Sequence, residues 1–187
     1  MTYPTAPEQT ANQIDGFGPQ HVQVMKAAFV IDSHRVTGEL RYGGPPRRLV
    51  DILNAIDGGY TTIFDGEMGS SQRSDEEMKQ FAMAQIRRDA ILYAIPLTDT
   101  PRGGYGEVVP KVPNLTNIAV PGYQITGNCY HVPNVDPADV ATLSGRGFIP
   151  MTDVVIKPAT KGKAAREDII VVNLARVLVY APSPRGA

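Results

Sequence analysis

The chain has no tryptophan, a single cysteine and three histidines, and each shortage removes a class of function. One cysteine, Cys129, excludes an internal disulfide and a cysteine-built metal cluster. Alone on a strand-like stretch it reads as a small apolar filler rather than a nucleophile. His21, His34 and His131 show no metal-ligand spacing, so neither a metal site nor histidine acid–base work is expected. No apolar run approaches the length that spans a bilayer. The N-terminus also lacks the basic start and apolar core of a secretory signal, so the expected location is the cytoplasm. Charge of one sign is missing too: the net value of −1 argues against a polyanion binder held by bulk electrostatics. A phosphate-cradling loop is absent, because Gly103-Gly104-Tyr105-Gly106 has neither the Lys-Ser/Thr pair nor a buried strand before it. No catalytic residue and no cofactor is expected.

What the chain does have is 18 glycines and 16 prolines, which punctuate many short elements rather than support long helices. No apolar period of helical type is sustained over three turns, so the fold class is mainly β. A pattern also returns. Arg48-Leu49-Val50-Asp51-Ile52-Leu53-Asn54 is followed by Tyr60-Thr61-Thr62-Ile63-Phe64-Asp65, and Ala138-Asp139-Val140-Ala141-Thr142-Leu143 by Phe148-Ile149-Pro150-Met151-Thr152-Asp153. The spacing from Asp51 to Asp65 equals that from Asp139 to Asp153. Matching strands stand before each copy, at Arg35-Val36-Thr37-Gly38 and Gln124-Ile125-Thr126-Gly127. Others stand after each, at Ala90-Ile91-Leu92-Tyr93-Ala94 and Val177-Leu178-Val179-Tyr180-Ala181. The expectation is two tandem β-barrel-like modules of about ββαββ, related by internal duplication and packed together because each alone buries a small core.

In chain order, residues 1–20 are polar and aperiodic, and read as a flexible tail or a docking arm anchored by Tyr3, Ile14 and Phe17. Module one spans 21–98, a Pro/Gly-rich linker 99–115, module two 116–182 and a tail 183–187. Asp32-Ser33-His34 offers turn chemistry between two strands. Gly38 and Gly127 mark a bulge or sharp bend. A short helix is expected over 47–55, with Leu49, Ile52 and Leu53 on its buried face. Its counterpart opens on Asp136 as N-cap with Pro137 first. Ser74 and Glu77 form a capping box, predicting a helix through about Phe81. The remaining strands of module one are expected at 60–68 and 85–95. The expected core is Leu49, Ile52, Leu53, Ile63, Ile91 and Tyr93 in one module. In the other it is Val140, Leu143, Ile149, Met151, Leu178 and Tyr180.

Among candidate sites, Asp51, Asp65, Asp139 and Asp153 are the most regular acidic set, and turn or cap roles explain them without a ligand. The cations Arg47, Arg48, Lys161 and Lys163, with the Arg87-Arg88 pair, are candidates for contact with a partner. Arg48–Asn54 and Phe148–Asp153 carry a further signal. They resemble small bacterial β domains in which a strand ending near Gly precedes Arg-Leu-x-Asp-x-Leu-Asn and then Phe-Ile-x-Leu-Thr-Asp. That resemblance implies a β fold and no activity, so no site residue is carried over. The function expected is a non-enzymatic structural or interaction subunit docking within a larger protein assembly. The alternative is a regulatory module that binds a small ligand or single-stranded nucleic acid through the Arg pairs and the basic loop.

Overall fold

The computed structural model describes residues 22–56, 58–71, 77–98, 110–145, 147–160 and 162–184. The expected anchors Tyr3, Ile14 and Phe17, and Lys161 of the basic loop, lie outside them. The first half contains β1 (Val22–Ile31), β2 (His34–Gly43), α1 (Leu49–Ala55), β3 (Tyr60–Ser70), β4 (Lys79–Arg87) and β5 (Tyr93–Pro96). The second contains β6 (Val112–Val120), β7 (Tyr123–His131), α2 (Val140–Leu143), β8 (Phe148–Pro158), β9 (Ala165–Asn173) and β10 (Val179–Pro182). All ten strands form one antiparallel sheet in the order β10-β6-β7-β8-β9-β5-β1-β2-β3-β4. Each half therefore has the same neighbour order, with its last strand beside its first.

This corrects the barrel expectation. The sheet is continuous across the halves and is not closed, and among the described residues β4 and β10 each pair on one side only. Each half also holds five strands rather than four. The 3-10 turn Arg88–Ala90 breaks the stretch read as one strand over 85–95, and Tyr93–Pro96 then returns to the side of β1. Ser74, where the expected helix begins, lies outside the described residues, but the helix does not run through Phe81, because β4 starts at Lys79 and Phe81 lies opposite Gly66 of β3. A ladder to a neighbouring strand outweighs a local capping signal. β6 opens at Val112, inside the stretch read as linker.

Several local signals match the structure. The turn at Asp32-Ser33 joins β1 to β2, with Asp32 at a φ of 50°. The Asp136 carboxylate accepts a hydrogen bond from the Ala138 N–H at 2.9 Å, and Pro137 opens the turn that leads into α2. The ladder between β2 and β3 shifts register at Gly38, and that between β7 and β8 at Gly127. In each case the partner strand carries an extra residue, and Asp65 and Asp153 there have φ of 46° and 54°. They sit in mid-strand bulges rather than in turns or helix caps. Asp tolerates left-handed backbone better than most residues because its side chain is short and polar. A Cβ on Gly38 would stand 2.8 Å from the Phe64 carbonyl oxygen, and one on Gly127 2.8 Å from that of Thr152. Gly38→Ala and Gly127→Ala are each expected to destabilise by about 1–3 kcal/mol in urea unfolding, the cost of overpacking against backbone. Gly59→Ala, whose added Cβ meets nothing within 4 Å, is the control that should not move.

The core divides in two because central strands bury both faces. Met25, Ala27 and Phe29 of β1 join Leu49, Ile52, Leu53, Ile63 and Ile91 in one cluster. Ala28 and Val30, pointing the other way, join Ile118, Ile125, Met151 and Ile170 in the second. All six expected core residues of the first half are buried, as are Val140, Ile149 and Met151. Tyr180 is only half-buried, while Leu143 and Leu178 are 70% and 69% exposed.

Hydrogen-bond register explains Leu178. Ala27 faces both Gly38 and Pro96, and Thr116 faces both Gly127 and Pro182. The Leu92 N–H donates to the Val30 carbonyl at 2.8 Å, and the Leu178 N–H donates to that of Ala119 at 2.8 Å. Val179, not Tyr180, is thus the counterpart of Tyr93, and Leu178 is the counterpart of Leu92. Leu92 is fully buried. Leu178 has the same place in its own half and is 69% exposed.

Candidate interaction site

The two halves meet where β9 adds to β5, with Val172 opposite Tyr93 and Val171 opposite Ala94. Leu92, Tyr93 and Ile95 pack into the second half's core, and Phe148 and Val171 into the first half's. Polar groups fix this junction. The Asn173 amide donates to the carbonyls of Arg88 at 3.0 Å and Ile91 at 2.8 Å, and its Oδ1 accepts from the Ala175 N–H at 3.1 Å. Asn54 of α1 binds the Phe148 backbone in both directions, donating to its carbonyl at 2.9 Å and accepting from its N–H at 2.8 Å. The Tyr123 hydroxyl donates to Ser71 Oγ at 2.8 Å, and the Tyr123 ring meets that of Tyr93 edge-on. Burial pushes the Tyr93 phenol well above its ordinary value.

At the two ends of the sheet the same kinds of strand are open. Val179 of β10 and the preceding Leu178 are exposed, as is Leu115 of β6, and β4 exposes Met83. Sequence reasoning missed these residues. The Lys79–Arg87 stretch is rich in the helix formers Lys, Gln, Ala and Met, so local propensity gave no signal for its strand.

Among the described residues, the cations singled out from sequence do not converge. Arg48 is held by Asp51 through a two-point ion pair at 2.7 and 2.9 Å, which raises its pKa further. Arg47 is exposed at the start of α1. Lys163 is exposed beyond the far end of β8, and that eleven-residue strand spans about 30 Å. Arg88 is a structural cap, donating to the Ile56 and Leu53 carbonyls at 2.8 Å each and so satisfying the end of α1. Arg87 pairs with Asp89. Of the acidic set, Asp51 serves Arg48, Asp65 pairs with Arg41, and Asp153 accepts from Asn128 at 2.9 Å.

A cleft of about 360 Å³ lies between α1 and the start of β8, lined by Arg48, Asp51, Asn54, Lys111, Tyr130 and Phe148 among others. Cys129 reaches its wall, but burial pushes its thiol up to about 11, which leaves it protonated and inert at neutral pH. His131 is buried with Nδ1 2.9 Å from the Val132 carbonyl, and His34 is exposed. Among the described residues no group of His, Cys, Asp and Glu could hold a metal ion, and no helix is long and apolar enough to cross a membrane. Comparison with protein-family models, curated proteins and solved structures finds no match to this chain.

Proposed function

We propose that this chain is a non-enzymatic structural or interaction subunit that docks within a larger protein assembly. We further propose that its halves arose by duplication of the small bacterial β domain whose pattern Arg48–Asn54 and Phe148–Asp153 carry. The observation that carries the reading is β10, a sheet edge that among the described residues is paired on one side, with Val179 and the preceding Leu178 exposed. Such an edge presents backbone donors and acceptors together with apolar side chains, which is what strand addition by a partner requires. Regulatory binding of a small ligand or nucleic acid is the weaker reading, because Arg48 is committed to Asp51 and Lys163 stands apart from it. The test is the mass of the native protein, measured in extract from its own cell under non-denaturing conditions. A species well above the 20.2 kDa chain, at fixed stoichiometry, is expected. A native monomer would overturn the proposal.

A further inference from the structure

Resting on the subunit reading, we propose that the partner on both free edges is a second copy of this chain. Copies join head to tail, β10 of one adding to β4 of the next in the register by which β5 adds to β9. The junction between the halves is the template. There a four-residue strand, β5, lies against the C-terminal part of a nine-residue strand, β9. The free edges are a four-residue strand, β10, and a nine-residue strand, β4, each holding the corresponding place in its half. Transferring the register places Val179 opposite Ile86 and Tyr180 opposite Gln85 of the next copy. It also places the Arg87 N–H of that copy against the Leu178 carbonyl, as the Asn173 N–H meets that of Leu92 at 3.0 Å.

The pattern of exposure supports the transfer independently. Several side chains buried at the internal junction have counterparts that are exposed at the ends, although Ile86, the counterpart of Val172, is itself buried. Leu92, Tyr93 and Ile95 are 0%, 5% and 6% exposed, and their counterparts Leu178, Val179 and Ala181 all face solvent. Phe148, the first residue of β8, is 4% exposed under α1 and Arg88. Its counterpart Tyr60, the first residue of β3, is 54% exposed. In a head-to-tail pair, Tyr60 of one copy would come beneath α2 of the other, where Leu143 is uncovered. One operation thus covers both apolar ends. The contact is heterologous, so it closes a ring if the rotation between copies permits and otherwise runs on as a filament.

The test uses the purified full-length chain. Sedimentation should show multiples of 20.2 kDa. A chain carrying Arg87→Cys and a second carrying Leu178→Cys, mixed and oxidised, should give a disulfide-linked dimer that neither forms alone. Both positions are exposed, and Cys129 is buried, so folding and background linkage are not at issue. Val179→Lys should weaken association about tenfold or more, because it buries an unpaired charge, while the circular dichroism of the chain stays unchanged. A full-length chain that remains monomeric, while the native protein runs in a larger complex with other proteins, overturns self-pairing and leaves the subunit reading standing. Monomers in both settings overturn both. Self-association that appears only after deletion of residues 1–20 would show the edge covered by the chain's own N-terminal arm, and also overturns the proposal.

Discussion

Leu53→Ala is expected to cost about 2–5 kcal/mol, read as a fall in the urea midpoint with little change in slope. Leu53 is fully buried and stands on α1 beside Leu49, in the cluster that holds Ile63, Ile91 and Phe148. Truncation loses the transfer energy of the side chain and leaves a cavity whose walls come from β-strands on either side of the junction. Those walls are fixed by the sheet ladder and cannot collapse far, which favours the upper part of the range. Leu143→Ala is the informative contrast. Leu143 also lies on a helix that precedes the bulged strand of its half, yet it is 70% exposed. Its truncation should change the stability of the isolated chain by no more than about 0.5 kcal/mol. Equal losses at the two positions would show that the second half buries its helix as the first does.

Asn173→Ala should destabilise by on the order of 3 kcal/mol or more, because each buried polar group left without a partner costs about 1–3 kcal/mol. Asn173 is 2% exposed, and its side chain serves two carbonyls and one N–H around the turns that end β4 and β9. Asn173→Asp separates this from a simple packing loss. The carboxyl keeps an acceptor for Ala175 but turns its other oxygen toward the Arg88 and Ile91 carbonyls. That environment favours the protonated form and raises the folded-state pKa above the unfolded one. A group so shifted contributes its stability below the unfolded pKa and loses it as pH rises through the folded pKa. The Asp variant should therefore lie nearer the parent at pH 4 than at pH 7. A pH-independent deficit would mean that the side chain at 173 does not face those carbonyls.

Several features were written locally and could be read from the chain alone. The Asp32-Ser33 turn, the Asp136–Pro137 cap, the buried face of α1 and the special status of Gly38 and Gly127 each depend on residues close in sequence. For such features, dihedral preference and side-chain-to-backbone bonding suffice. The predominance of β-structure followed from the same punctuation by glycine and proline.

What only the tertiary structure decided is which edges meet. Phe81 lies in a strand because β3 offers a ladder to it, and a four-residue capping box cannot compete with that. Asp65 and Asp153 lie in mid-strand because a bulge is defined by two strands, not one. Leu92 and Leu178 sit in similar sequence and at corresponding places, yet one is fully buried and the other 69% exposed. The difference is that β9 adds to β5, while no described strand adds to the outer side of β10. Burial belongs to the pair of surfaces, and the sequence around a residue describes only one of them. For the same reason the continuous open sheet, in place of two closed barrels, was settled by the long-range pairing of β5 with β9 rather than by any local pattern.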